Sequence, residues 1–268
     1  MTHFPFVSTT YTTPIYGSRT VYNPSYSPFS RLQDPISSRP FDYFPRPHHD
    51  LNPINNYKET PIAAEPVMHT PGTKIVVVLD ESGSMEPIRE KMIESINSFI
   101  KEQKQVAGRT CTFSLVKFNG DISNVITDRD LREVSLLSYN DYIPNGTTAL
   151  YDAIGNTISR FRFERDVIMV IITDGQNNSS KHYNKRLVQQ MIDEKKKYMG
   201  WSYIYLSSDL NTAADGDGLG FHNDAYSANC CVPQNNFANF MSNSLNNAVS
   251  NYRTKGISVQ SQLQGFNV

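Results

Sequence analysis

The sequence has little cysteine, no long apolar run and no excess of either charge. Only three of its 268 residues are cysteines, and two of these, Cys230 and Cys231, are adjacent, so an ordinary disulfide framework is not expected. The 25 basic and 26 acidic residues nearly cancel, which argues against nucleic acid as a partner. No apolar run approaches the ~20 residues that cross a bilayer, so we also predict no membrane insertion.

Signals for secretion and for catalysis are also missing. The first ten residues, MTHFPFVSTT, lack the charged start and apolar core of a signal peptide. Together with the scarce cysteine, this predicts an intracellular (cytoplasmic), non-secreted protein, and incorporation into a large assembly such as a virion is compatible with that location. The chain has no phosphate-cradling GxxxxGK[ST] loop, and neither His182 nor His222 stands beside a nucleophile elbow. We therefore predict that the protein is not an enzyme.

Composition changes sharply near residue 72. Twelve of the fifteen prolines precede that position, interleaved with Tyr, Phe, Ser and Thr. Proline fixes φ and removes a backbone donor, so neither helix nor sheet is expected to propagate through residues 1–72. Two interpretations stay open for this Pro/Tyr/Ser-rich segment. It is either a disordered or polyproline-like tail, or an extended arm whose aromatic residues anchor it to neighbouring subunits.

Residues 73–253 alternate between strand-like and helix-like patterns, which predicts one domain of α/β class. Strands are expected at 74–80, 110–118, 121–126, 167–173, 201–208 and, at an edge, 225–228; helices are expected near 88–100, 150–161, 187–198 and 237–252. The N-G pair at 119–120 predicts a hairpin. The fold class is therefore a doubly wound, mostly parallel sheet with one antiparallel edge strand. Residues 209–220 are expected to form a loop, and residues 254–268 a polar C-terminal tail.

Oxygen-bearing side chains follow two of the most apolar strands. The stretch I-V-V-V-L-D-E-S-G-S-M (75–85) carries Asp80, Ser82 and Ser84, V-I-I-T-D-G-Q (170–176) carries Asp174, and Thr148 precedes the second helix. Ligands of such sheets bind at the carboxyl ends of the strands, where these residues are expected to meet. Carboxylate and hydroxyl oxygens suit Mg²⁺, or alternatively Mn²⁺ or Ca²⁺, and not zinc.

The kind of ligand indicates the use of the ion. Neutral hydroxyl ligands, in place of further acidic ones, leave part of the ion's positive charge uncompensated. The ion can therefore bind one more anion. A protein partner offering an Asp or Glu would supply that anion at an open coordination position. The residues alone thus predict a metal-dependent clasp for proteins.

Three stretches resemble the metal-ion-dependent adhesion site (MIDAS) of the von Willebrand factor A (VWA) family: D-E-S-G-S-M (80–85), N-G-T-T-A-L-Y-D-A-I (145–154) and I-I-T-D-G (171–175). The resemblance covers roughly residues 73–253 and implies the Rossmann-like VWA fold. It also implies that Asp80, Ser82, Ser84, Thr148 and Asp174 hold the metal. Within the family the hydroxyls usually touch the ion, the aspartates often act through water, and a partner acid is the last ligand.

Two functions are compatible with these features. The first is a non-enzymatic protein-interaction or adhesion module that binds a divalent cation at a MIDAS. The second is a structural component of a large assembly, such as a minor capsid or other shell protein, fastened mainly by its N-terminal arm, with the metal site incidental or stabilising. Among neighbouring acids, Glu81 is expected to be solvated or to face a helix, Asp152 to support the loops or cap a helix, and Asp215 and Asp217 to lie in a surface turn.

Overall fold

The computed structural model describes residues 72–208, 210–222 and 224–266. The chain divides into two units, 1–62 and 63–268, and all described residues belong to the second. Strands and helices alternate along it: β1 (Thr73–Asp80), α1 (Arg89–Gln105), β2 (Cys111–Phe118), β3 (Ile122–Asp130), α2 (Leu150–Arg160), β4 (Val167–Ile172), α3 (Lys185–Met199), β5 (Ser202–Ser207), α4 (Leu210–Gly218), β6 (Ser227–Cys231), α5 (Phe237–Asn239), a π-helical turn (Phe240–Leu245) and α6 (Asn246–Lys255). Short 3₁₀ turns connect them at Gly83–Ile88, Leu131–Glu133, Tyr139–Asp141, Gln234–Asn236, Gln260–Gln262 and Gln264–Phe266.

The six strands form one sheet in the order β3-β2-β1-β4-β5-β6. All neighbours are parallel except β2 and β3, which pair antiparallel around the short turn after Phe118. The antiparallel strand β3 lies at one edge, and helices cover both faces. The predicted fold class is therefore confirmed, including its single antiparallel edge strand.

The central strands are apolar because both of their faces are covered. Every residue of β1 and of β4 is buried, and successive side chains enter two different cores. On one face Ile75 and Val77 pack with α1 and α6, and on the other Val76 packs with α2 and α3. Because both faces are covered, the strand sequences are unbroken apolar runs. Polar side chains first occur where these strands end.

The predicted loop at 209–220 is wrong, because residues Leu210–Gly218 form helix α4. The glycines and aspartates had indicated a turn, but the small residues of α4 pack against the sheet. A Cβ on Gly216 would lie 2.6 Å from Cδ1 of the buried Tyr205 ring, so only glycine lets the helix approach this closely. Asp217 accepts a hydrogen bond from the Asn229 side chain and Asp215 pairs with Lys185, so these two acids do not lie in a surface turn.

The C-terminal residues continue the fold past the predicted boundary at 253. Helix α6 ends at Lys255, with Gly256 in the left-handed conformation at its end. Beyond it, Val259 and Leu263 are buried in the core on the α1 side. The division into an arm (1–72), a domain (73–253) and a tail (254–268) stays a prediction, and the arm lies outside the described residues apart from Gly72.

No helix in the described part of the chain is both long and apolar enough to cross a membrane. Cys111, Cys230 and Cys231 are all free thiols, and the first two are buried.

Candidate metal centre

The candidate site lies where the sheet's connections diverge. Strands β1 and β4 are parallel neighbours, and their carboxyl ends fall side by side at Asp80 and Ile172. The chain leaving β1 enters α1 on one face, whereas α2 and α3, which flank β4 in sequence, pack on the other face. Between β1 and β4 the sheet therefore has the switch point at which ligands of doubly wound folds bind.

The predicted ligands are gathered at this point. The Ser84 hydroxyl donates to Oδ1 of Asp174 over 2.6 Å, and the hydroxyl oxygens of Ser82 and Ser84 lie 3.1 Å apart. Thr148 reaches the same place from the start of α2. A Cβ added to Gly175 would stand 3.4 Å from Oγ1 of Thr148 and 3.8 Å from Oγ of Ser84. Residues nearly 100 positions apart in sequence thus converge on one small volume.

Asp80 forms the buried floor of the site. Its carboxylate accepts hydrogen bonds from the Ser82 backbone N–H (2.7 Å) and from the Thr173 hydroxyl (2.6 Å). Burial raises the pKa of Asp80 to about 6, although these hydrogen bonds lower it, and the nearby Asp174 raises it further. The buried carboxylate and its acidic neighbour Asp174 therefore concentrate negative charge at this end of β1.

The donor set fits a hard divalent cation. Asp80, Ser82 and Thr148 are buried, while Ser84 is exposed and Asp174 is half-buried, so the cluster has a closed floor and an accessible side. Gly175 leaves open the space between Thr148 and Ser84 that a Cβ would occupy. The site offers two carboxylates together with hydroxyls, which are ligands that hard divalent cations prefer. In the described residues no three His, Cys, Asp or Glu side chains converge to hold a metal.

Two residues of the site were missed by the sequence analysis. Thr173 orients the Asp80 carboxylate, and its hydroxyl also accepts from the Gly175 N–H over 3.2 Å. Gln234, from the turn before α5, donates through Nε2 to Oδ2 of Asp174 (2.7 Å) and to the Ser84 carbonyl (3.3 Å). Thr173 was available in the T-D-G stretch, but no sequence pattern near Gln234 indicated its role.

Gln234→Ala is expected to lower the free energy of unfolding by about 1 kcal/mol, because a hydrogen bond to a partly exposed carboxylate is lost. Urea unfolding without metal measures this. The exposed neighbouring variant Asn235→Ala is the control and is expected to have no effect. Equal losses in both variants would show that the Gln234 contacts do not stabilise the site.

Glu81 is not solvated, in contrast to its prediction. It is buried, and its Oε1 accepts from Lys117 Nζ and from the Ile143 N–H, each over 2.6 Å. Its side chain points away from the candidate ligands, as expected, but toward the neighbouring strand β2. Its backbone carbonyl accepts from the Asn145 N–H, so the loop at 143–146 is tied to the D-E-S-G-S stretch.

Asp152 supports the loop that follows β4. Its carboxylate accepts from the backbone N–H groups of Lys181 (2.7 Å), His182 (2.9 Å) and Tyr183 (2.7 Å). The same loop holds Thr148, because Oδ1 of Asn178 accepts from the Thr148 N–H over 2.8 Å. Asp152 thus positions the loop beside the site without touching the candidate ligands.

Asp152→Asn is expected to lower the free energy of unfolding by about 2 kcal/mol at pH 7, because an amide offers one acceptor oxygen to three N–H donors. Burial acts to raise the pKa of Asp152, but the three N–H donors outweigh it and lower the pKa below its ordinary value. The stabilisation is therefore complete above the unfolded pKa of about 4 and is lost as pH falls through the lowered folded pKa. Urea unfolding at pH 7 and at pH 3 measures the loss of stability and its dependence on pH. The difference between variant and wild type is expected to shrink at pH 3, and a difference that grows on acidification would contradict this explanation.

Solved structures share the fold at low sequence identity. The PilB minor pilin from Streptococcus sanguinis is 12% identical with a TM-score of 0.51, and the match covers 70% of this chain and 64% of that one. A von Willebrand factor type A protein from Catenulispora acidiphila is 14% identical with a TM-score of 0.49, covering 67% of this chain and 42% of that one. Proximal thread matrix protein 1 from the mussel byssus, in a structure with a zinc-occupied MIDAS motif, is 16% identical with a TM-score of 0.47, covering 67% of this chain and 46% of that one.

This chain spans less than half the length of several of these structures, and their low identity makes the likeness one of fold alone. No curated protein matches the sequence. The von Willebrand factor type A domain, however, matches as a sequence family over residues 74–214, which is more than half of the chain. The protein therefore belongs to the von Willebrand factor type A domain family.

Proposed function

We propose that this VWA domain is a non-enzymatic protein-binding module whose MIDAS-type site holds one divalent cation and accepts a partner's carboxylate. The observation that carries the proposal is that the Ser84 hydroxyl lies within hydrogen-bonding distance of both Ser82 and Asp174, with Thr148 nearby. VWA domains commonly mediate protein interactions through such a metal. Mg²⁺ is the proposed ion, with Mn²⁺ or Ca²⁺ as alternatives.

The five candidate ligands differ in burial, and we assign their roles accordingly. Asp80, Ser82 and Thr148 form the closed floor and would hold the ion from beneath. Ser84 and Asp174 form the rim, and Gln234 and Ser208 fix Asp174 through its carboxylate and its carbonyl. When bound, the cation supplies a positive charge that a partner's Asp or Glu can approach from the accessible side. No nucleophile and base pair is needed for this task.

Calorimetric titration with Mg²⁺, Mn²⁺ and Ca²⁺ tests the proposal. We expect one ion per chain and a specific protein contact that EDTA abolishes and Mg²⁺ restores. The exposed variant Asp121→Asn is a control of equal charge change and is expected to bind metal normally. A protein contact that persists in EDTA and in Asp174→Asn would rule out the metal-dependent clasp.

The density of aromatic residues before position 72 favours a second role, as a structural component of a large assembly fastened by the N-terminal arm. Eleven aromatic residues precede this position, among them Tyr43 and Phe44, which is more than solvating tails usually contain. Deleting residues 1–70 discriminates: assembly lost with unchanged metal affinity supports fastening by the arm, and unchanged assembly contradicts it. An intracellular, non-secreted location stays part of this proposal.

A further inference from the structure

A small cavity of about 110 Å³ lies at the edge of the sheet opposite the candidate metal site. The last turns of α1 and α6 line it, together with the beginning of β2 and the end of β3. Cys111, the first residue of β2, lines the cavity and pairs with Thr73 at the start of β1. The candidate metal site begins at Asp80, where β1 ends, so an eight-residue strand separates the two sites by about 25 Å.

Basic side chains dominate the lining of this cavity. Lys104, Arg109 and Arg253, which we call the basic cluster, line it together with the pair Arg132 and Asp130. Arg132 already neutralises Asp130, because its Nη2 and Nε lie 2.5 Å and 3.0 Å from the two carboxylate oxygens. In the part of the chain that the structure describes, the basic cluster forms no ion pair. Its positive charge is therefore uncompensated there, although the whole chain has a net charge of -1.

The Arg253 guanidinium is charged and buried, and its partners are neutral. Arg253 is only 7% exposed, and its Nη1 donates to the Gln103 carbonyl (2.7 Å) and to Gln103 Oε1 (2.9 Å). Its buried Nε has no hydrogen-bond partner among the described residues. A buried charge is costly when its partners are all neutral. Because the charge is delocalised over the whole guanidinium, an anion that binds Nη2 from the cavity would offset this cost.

Neighbouring residues hold the basic cluster in position. Gln103 is buried, and its Nε2 donates to the carbonyl and to Oδ1 of Asn246, each over 3.1 Å, so the acceptor of Arg253 is itself fixed. Gly108 has a φ of +120°, and a Cβ on it would lie 3.9 Å from the Arg253 carbonyl oxygen. The loop that carries Arg109 therefore runs beside the last turn of α6. A cluster that is already ordered loses little entropy when it binds a ligand.

The size of the cavity and the kind of donor favour a small oxyanion. A water molecule takes up about 30 Å³ in the liquid, so the cavity has room for a phosphate ion and too little room to enclose a nucleotide. Guanidinium groups match the oxygens of phosphate well, because their N–H donors lie in one plane and can bind two oxygens at once.

We propose that the basic cluster binds one phosphate group, with Arg253 as the central donor and with Lys104 and Arg109 beside it. The group is either inorganic phosphate or the phosphate of a monoester. This site is separate from the candidate metal site and needs no cation, so the inference goes beyond the proposed function and does not depend on it.

Calorimetric titration of the full chain with inorganic phosphate, in a chloride buffer with EDTA at pH 7, tests the proposal. We expect one phosphate per chain, with a dissociation constant of about 1 mM or lower. A parallel titration with O-phosphoserine distinguishes the two sources. Tighter binding of inorganic phosphate indicates the free ion, and tighter binding of O-phosphoserine indicates a phosphorylated molecule.

Variants of the basic cluster test which residues hold the phosphate. Arg253→Met has a similar length but no charge, and is expected to weaken phosphate binding by at least about 30-fold. Arg109 is exposed, so Arg109→Gln is expected to weaken it by only about 3- to 5-fold. Arg186→Gln makes the same change of charge at an exposed position of α3 that does not line the cavity, and is expected to bind like the wild type.

Circular dichroism shows whether Arg253→Met folds. If it does not, the double variant Lys104→Gln with Arg109→Gln replaces it, because it leaves Arg253 and its contacts with Gln103 in place. This double variant is expected to weaken phosphate binding by about 10-fold or more.

Three results would overturn the proposal: no saturable binding at millimolar phosphate, equal affinity in the wild type and in a folded Arg253→Met chain, or equal losses in Arg109→Gln and Arg186→Gln. The last would mean that phosphate only accumulates near positive surface charge. The Asp174→Asn chain is expected to keep its phosphate affinity, and loss of phosphate binding in that folded variant would contradict a separate site. A chain that binds phosphate but no divalent cation would support this inference and refute the proposed function.

Discussion

Replacing Asp80 by asparagine is expected to lower the affinity for Mg²⁺ by at least about 100-fold. Asp80 is fully buried and carries one of the two negative charges of the site. A unit charge about 4 Å from a divalent ion, at an effective dielectric constant near 20, contributes about 8 kcal/mol before desolvation is subtracted. Only about 2.7 kcal/mol of that needs to survive for a 100-fold effect. Asparagine keeps an acceptor for the Ser82 N–H, so the loss comes from charge more than from shape.

Calorimetry at constant ionic strength measures this loss. Ser82→Ala, which removes a neutral oxygen, is expected to lower the affinity for Mg²⁺ by about 10-fold. The exposed variant Asp121→Asn is expected to leave this affinity unchanged. Thermal unfolding in EDTA shows whether each variant folds without metal. Wild-type affinity in a folded Asp80→Asn chain would mean that the ion, if bound at all, is held elsewhere.

Glu81→Ala is expected to lower the free energy of unfolding by about 3–5 kcal/mol. The side chains of Glu81 and Lys117 are only 10% and 13% exposed, and their charged atoms lie 2.6 Å apart. Without Glu81 the Lys117 ammonium is left buried and uncompensated, and the Ile143 N–H loses its acceptor. The second effect acts on the loop at 143–146, which is tied to the D-E-S-G-S stretch through Glu81.

A second substitution distinguishes this cause from a simple loss of contacts. The cycle consists of Glu81→Leu, Lys117→Met and the double variant that combines them. Because Lys117→Met removes the stranded charge, the double variant is expected to recover most of the stability that either of these single changes loses. Urea unfolding of all variants completes the cycle. Losses that simply add in the double variant would show that the ion pair is not the reason for the cost.

Most of the fold followed from the pattern of burial. Strands β1 and β4 were recognisable because both of their faces are covered, which requires unbroken apolar sequence. The site followed from the same pattern, since polar residues after such strands must lie at the carboxyl edge. Thr148 could be placed because helix α2 begins two residues after it, at Leu150.

The features that the sequence did not predict depend on contacts between residues that are far apart in the chain. Helix α4 was missed because its glycines suggested turns, when Gly216 in fact allows close packing on Tyr205. Glu81 was expected to be solvated because its partner, Lys117, lies on a neighbouring strand whose register the sequence does not reveal. Gln234 was missed for a similar reason, being 60 positions from Asp174, whose carboxylate it contacts.

The central claim is that five oxygen-bearing side chains hold one cation at the end of β1. A crystal structure with Mn²⁺, located by its anomalous scattering, tests it most directly. We expect one strong peak near 2.1 Å from the hydroxyl oxygens of Ser82 and Ser84, with Thr148 and Asp174 bound directly or through water. A peak bound by other residues, or an empty edge at saturating Mn²⁺, would contradict it.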